Sequence, residues 1–155
     1  MSNNKYKQNF KPENKKELQT AVNLWCNYNN IAQDYYGNIN SWNTELITDM
    51  SNLFKNEKKF NDNISNWNTS NVTNMKNMFS YASIFNKSLN KWNTGKVENM
   101  EKMFYYASHF NQDLNSWDIN RVQNMDFMFY NADNFIKPLN WDFTKMLENW
   151  KERNS

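Results

Sequence analysis

Residues 63–79 read NISNWNTSNVTNMKNMF, and residues 110–129, FNQDLNSWDINRVQNMDFMF, repeat the same phrase with conservative changes. A fixed internal period outranks every other signal in a sequence, because it means one small unit built several times. Trp42, Trp67, Trp92 and Trp117 fall 25 residues apart, and Trp141 follows after 24. Counting forward from each Trp, apolar columns recur: Ile47, Val72, Val97 and Val122, then Met50, Met75, Met100 and Met125. Next come Leu53-Phe54, Met78-Phe79, Met103-Phe104 and Met128-Phe129, followed by Ala82, Ala107 and Ala132, with Glu57 breaking that column in the first unit. Phe60, Phe85, Phe110 and Phe135 close the pattern, with Ile64, Leu89, Leu114 and Leu139 four residues later.

The columns between the Val and the Ala cover an arc of about 120° at about 100° per residue, the width of an amphipathic helical stripe. This predicts a short helix in each unit, such as 72–82 or 97–107. Around each Trp, the Leu or Ile, the Trp and the residue two beyond it alternate inward, which predicts a short strand near 66–69, 91–94 and 116–119, with weaker copies near 41–44 and 140–143. The expected fold class is therefore α/β: a right-handed leucine-rich-repeat-like solenoid of about 4–5 coils, each a short parallel strand plus a short helix. Three segments follow: 1–34, a tail and capping helix; 35–143, the repeats; and 144–155, a C-terminal capping helix and tail. Leu18, Val22, Trp25, Tyr28 and Ala32 mark the first cap at helical spacing over 13–32, and Met146, Leu147 and Trp150 mark the second.

The chain contains 33 asparagines, and two sets of them keep the register: Asn74, Asn99 and Asn124 (Asp49 in the first unit), and Asn61, Asn86 and Asn111. Stacked amides of this kind can satisfy turn backbone in place of glycine, of which there are only 2. Asn is a poor general acid or base, so these columns read as structure.

The repeat F-N-x-x-[IL]-x-x-W-[ND]-[TI]-x-x-V-x-N-M-x-x-M-F-x-x-A-x-x-F resembles the BspA-like leucine-rich-repeat family over roughly residues 35–146. The stretch containing Phe10, Lys11, Pro12 and the AVNLWC of residues 21–26 is similar to the helix that precedes such repeats in large DNA viruses. Family members are known mostly as mycoplasma and anaerobe surface proteins, protist proteins and giant-virus proteins. Where a role is known it is binding, often to host proteins, and the resemblance implies no catalytic residues.

Composition narrows the chemistry. With 18 Lys plus Arg against 16 Asp plus Glu, the net charge of +2 is too small to announce a nucleic-acid or anionic-membrane partner. One Cys (Cys26) excludes an internal disulfide framework, and one His (His109) excludes a Cys/His zinc site. Asp49, Asp118, Asp126 and Asp142 sit at different offsets in the repeat, and no G-x-S-x-G elbow accompanies any Ser. The reading is therefore not an enzyme, with no catalytic, cofactor or metal site. Met1–Lys16 lacks the apolar stretch of a secretory signal, and no run is long enough to span a bilayer. The expected location is intracellular, in host cytoplasm or a virion if the protein is viral.

What remains is a repeated surface. On a helical wheel the positions ten, thirteen and fourteen after each Trp lie opposite the buried arc, and they hold Tyr81, Tyr105, Tyr106, Phe127 and Tyr130. Either these aromatics face water as a partner-binding patch, or a tighter 3₁₀ turn rotates them inward. The expected function is a protein-interaction module with a protein partner, no nucleic acid and no membrane insertion, acting as a monomer or within a larger assembly. A structural component of a particle or surface, and a host-directed adhesin, are the alternatives.

Overall fold

In the computed structural model, which describes residues 10–155, two helices lead into the repeats and one follows them. The start of the expected N-terminal tail, residues 1–9, lies outside the described residues. Helix α1 (Lys15–Asn27) begins where Asn14 caps it, its side chain accepting from the Glu17 N–H at 3.0 Å. Leu18, Ala21, Val22 and Trp25 form one buried stripe along it. The expected single helix over 13–32 is broken: Tyr28 leaves the helical region (φ −143°, ψ 62°), its N–H bonding back to the Leu24 carbonyl, and α2 (Asn29–Tyr36) starts anew. Gly37 ends α2 at φ 72°, a conformation that costs glycine nothing, and a 3₁₀ turn, Ile39–Ser41, delivers the chain to Trp42. Helix α3 (Phe143–Asn154) is capped by Asp142, which accepts from the Lys145 N–H at 3.1 Å, and buries none of its residues completely.

Between Trp42 and Asp142 the 25-residue units stack directly on one another through the backbone. The N–H groups of Met50, Asn52, Phe54 and Asn56 donate to the carbonyls of Asn74, Lys76, Met78 and Ser80 at 2.8–2.9 Å. Those of Met75, Asn77, Phe79 and Tyr81 reach Asn99, Glu101, Met103 and Tyr105 at 2.7–2.9 Å. Met100, Lys102, Phe104 and Tyr106 do the same to Asn124, Asp126, Met128 and Tyr130. The intervening N–H groups close tight turns three residues back, as Met78 to Met75, Ser80 to Asn77 and Ala82 to Phe79. Single parallel pairings join Asp49, Asn74, Asn99 and Asn124 in sequence.

This arrangement corrects the expected fold class. The described residues contain no extended strand, and no helix lies between Ser41 and Phe143, so the units are not the strand-plus-helix coils of an α/β leucine-rich-repeat solenoid. The reason lies in the backbone at positions ten and fourteen after each Trp. Asn52, Asn56, Asn77, Tyr81, Lys102, Tyr106, Phe127 and Asn131 all have φ between 54° and 66°. A left-handed residue every fourth position stops an α-helix from propagating. Alternating turns point every second N–H at the next unit instead of four residues back, while keeping Val, Met, Phe and Ala on one side. The helical periodicity was real, but the conformation that produced it is a run of turns.

Near the Trp, side chains carry the cohesion that a strand would have supplied. The indole N–H groups of Trp67, Trp92, Trp117 and Trp141 donate to the carbonyls of Ile39, Ile64, Leu89 and Leu114 at 2.8–3.1 Å. Thr44, Thr69 and Thr94, all buried, donate forward to the carbonyls of Asn68, Asn93 and Asp118 at 2.9 Å. The core is a set of stacked columns. Phe54, Phe79, Phe104 and Phe129 lie 5.5–5.6 Å apart, ring to ring and nearly parallel. Phe60, Phe85, Phe110 and Phe135 form a second column at 5.7–6.1 Å.

Candidate functional site

The tyrosine surface is assembled by the same turns. Tyr81, Tyr106 and Phe127 occupy left-handed positions and their side chains project away from the core, while Ser80, Ala82, Ala107 and Met128 beside them are buried. Tyr81, Tyr106, Phe127 and Tyr130 are exposed, and Tyr105 is half-buried among them. The alternative in which a 3₁₀ turn rotates them inward does not occur. The five rings form one continuous cluster. Tyr81 stacks on Tyr106 at 5.0 Å and meets Tyr105 edge-on at 5.6 Å. Tyr105 stacks on Tyr130 at 5.2 Å, and Phe127 meets Tyr130 edge-on at 6.0 Å.

Charge gathers at one side of this cluster. Lys55, Lys76, Tyr81, Glu101, Lys102 and Tyr105 line a groove of about 300 Å³. Glu101 pairs with Lys76 at 2.7 Å and with Lys102 at 3.6 Å, and the hydrogen bond from Lys76 holds its carboxyl below the usual range. The Lys102 ammonium also lies 6.0 Å from the centre of the Tyr105 ring and 5.8 Å from that of Phe127. Desolvation, and then the neighbouring Tyr81, Tyr106 and Tyr130, push the Tyr105 hydroxyl above its ordinary range. With three lysines to one glutamate, the groove carries a surplus of positive charge.

The other groups singled out in the sequence serve the scaffold. Asp49, Asn74, Asn99 and Asn124 each accept from the N–H two residues on, at 2.8–3.0 Å, opening the ladder turn in every unit. Asn61, Asn86 and Asn111 accept from the N–H of Asn86, Asn111 and Ile136, stitching each unit to the next. Sequence reading missed a further column, Asn43, Asn68, Asn93 and Asp118, which caps the turn after each Trp and could have been found from its constant offset of one. The His109 ring sits 2.7 Å from the Ser83 carbonyl, in the turn before Phe110. Burial pushes the Cys26 thiol up, and Glu57 and Asp62 beside it add to the effect, so it stays protonated at neutral pH. Glu57, which interrupts the Ala column, lines the same cavity as Cys26, where the first unit meets α1. No group of three His, Cys, Asp or Glu residues is placed to hold a metal ion among the described residues, and no helix there is long and apolar enough to cross a membrane.

Fold and surface together define a protein of stacked 25-residue turn units carrying an aromatic cluster with a basic flank. The chain belongs to the family described as mycoplasma protein of unknown function, DUF285, which matches residues 22–142. Neither a curated protein nor a solved structure matches it. The mycoplasma side of the resemblance therefore stands, while the leucine-rich-repeat and giant-virus expectations are corrected, since the described residues form no strand and the family that matches is a mycoplasma one.

Proposed function

We propose that this chain is a non-enzymatic protein-interaction module that docks a protein partner through Tyr81, Tyr105, Tyr106, Phe127 and Tyr130. One observation carries the reading: three bulky aromatics, with Lys102 beside them, stand at left-handed backbone positions, and the other four such positions in the units hold asparagine. Asn52, Asn56, Asn77 and Asn131 meet the same requirement at low cost, whereas Tyr81, Tyr106, Phe127 and the groove lysine Lys102 each carry steric strain on the order of 1 kcal/mol. Strain held by exposed side chains that fill no core space is accounted for by a use outside the fold. Tyrosines bury much area on docking at little entropic cost, and the lysine-rich groove beside them suits a partner with acidic residues around an apolar anchor. The resemblance of the units to BspA-like repeats, known for binding, points the same way.

The test is the double substitution Tyr81→Asn with Tyr106→Asn, which keeps residues suited to the backbone. Partner capture from the native cell, quantified against wild type, is expected to fall by about tenfold or more, as loss of hot-spot aromatics does. The melting temperature is expected to hold or rise. Undiminished capture by the folded variant would remove this surface as the docking site.

A further inference from the structure

The stack is closed at one end and open at the other. At the first unit α1 covers the acceptor edge: Gln19 Nε2 donates to the Leu53 carbonyl at 3.0 Å, and the Lys15 ammonium binds Asp49 Oδ2 at 3.0 Å and the Ser51 hydroxyl. Among the described residues the ladder has no successor at the last unit. The N–H groups of Met125, Phe127, Phe129 and Asn131 are the counterparts of donors that pair in every earlier unit, yet they meet no acceptor among the described residues. Helix α3 reaches this end elsewhere, through Asn149 Nδ2 on the Asn120 carbonyl at 3.0 Å and Met146 against the core. The apolar columns record the same opening. Met100, Phe104, Phe110 and Leu114 are each 0% exposed beneath the following unit, whereas Met125, Phe129, Phe135 and Leu139 are only partly covered.

We propose that this open face is a docking edge for one further 25-residue unit of the same type, supplied by another polypeptide. Its complement is already drawn inside the fold, at three successive interfaces. A line of carbonyls such as Asn99, Glu101, Met103 and Tyr105 satisfies the four N–H groups, and a Met-Phe-Phe-Leu set completes the columns. A second copy of this chain does not fit. Two open edges would set donors against donors, and on the acceptor edge of a second copy Gln19 of α1 already holds the Leu53 carbonyl while Lys15 holds the Asp49 and Ser51 side chains. The partner unit therefore comes from a chain whose first acceptor line is not capped by a helix.

The experiment is residue-resolved hydrogen exchange on the full chain, alone and with a synthetic peptide of residues 91–117, which carries that carbonyl line. Alone, the N–H groups of Met125, Phe127, Phe129 and Asn131 are expected to exchange at least about tenfold faster than those of Met100, Lys102, Phe104 and Tyr106. Saturating peptide is expected to slow the four by about tenfold or more, leaving the first unit unchanged. A peptide of scrambled sequence is expected to have no effect. Equal protection in the free protein, self-association that protects the edge, protection elsewhere, or equal action of the scrambled peptide would each overturn the proposal. The Tyr81→Asn, Tyr106→Asn variant retains this edge, so the tyrosine surface and the docking edge fail or succeed separately.

Discussion

Trp92 shows how much one residue does in a stacked unit. It is 3% exposed, its ring lies 6.4 Å from that of Trp117 and parallel to it, and its N–H reaches back to the Ile64 carbonyl at 3.1 Å. Packing and hydrogen bonding can be separated by two substitutions. Trp92→Phe keeps an aromatic in the column but strands a buried carbonyl, a loss of about 1–3 kcal/mol. Trp92→Ala also opens a cavity and is expected to cost about 3–5 kcal/mol. Denaturant melts of the two variants check the order: equal losses would mean that filling the column contributes nothing beyond the hydrogen bond, and no loss in Trp92→Phe would mean that the indole N–H contributes nothing. Burial of the Trp, Met and Phe columns was legible in the sequence because like residues recurred at one spacing. The indole bond was not, since a spacing of 25 residues says nothing about which carbonyl a ring nitrogen will face.

At the scale of the element, the turn ladder is where sequence reading and structure part. A stripe of Val, Met, Phe and Ala has the same appearance whether a helix or a run of turns turns the chain. The discriminating signal was Asn at offsets ten and fourteen, a residue that tolerates the left-handed region, but Tyr81, Lys102, Tyr106 and Phe127 interrupt it. Asn77, at φ 55°, tests the conformation directly. Asn77→Gly is expected to leave the melting temperature within a few degrees of wild type, because glycine adopts this backbone freely. Asn77→Val places a β-branched residue there and is expected to cost about 1–2 kcal/mol. In a helical unit the ranking would reverse, glycine being the more disruptive, so thermal melts of the pair decide between the conformations.

For the whole molecule, the consequence of stacking is that each unit depends on its neighbours and on the register. Removing residues 77–101, one period, joins Lys76 to Lys102 and restores every column. The shortened chain is expected to melt cooperatively at a lower temperature, since one interface is lost and the others persist. Removing residues 77–96 instead shifts the columns by five positions and is expected to abolish the cooperative transition. Circular dichroism melts of both deletions check this, and folding of the second would show that the columns do not set the stack. The two ends are unequal in the same framework: α1 meets the acceptor side through Gln19 and Lys15, while the last unit's row of donors finds no acceptor among the described residues.

By itself the sequence determined the period, the buried columns, the presence of a helix on either side of the repeats and the identity of the aromatic set Tyr81, Tyr105, Tyr106, Phe127 and Tyr130. Each of these depends on side-chain identity recurring at a constant interval, and that information is complete in one dimension. The tertiary structure alone decided the backbone between the columns and the partners of its polar groups. An N–H can bond within its own turn or to the next unit, and the choice rests on free energies of stacking that no local pattern encodes. The same choice turned five aromatics from a helical face into one connected surface, and left the last row of donors facing outward.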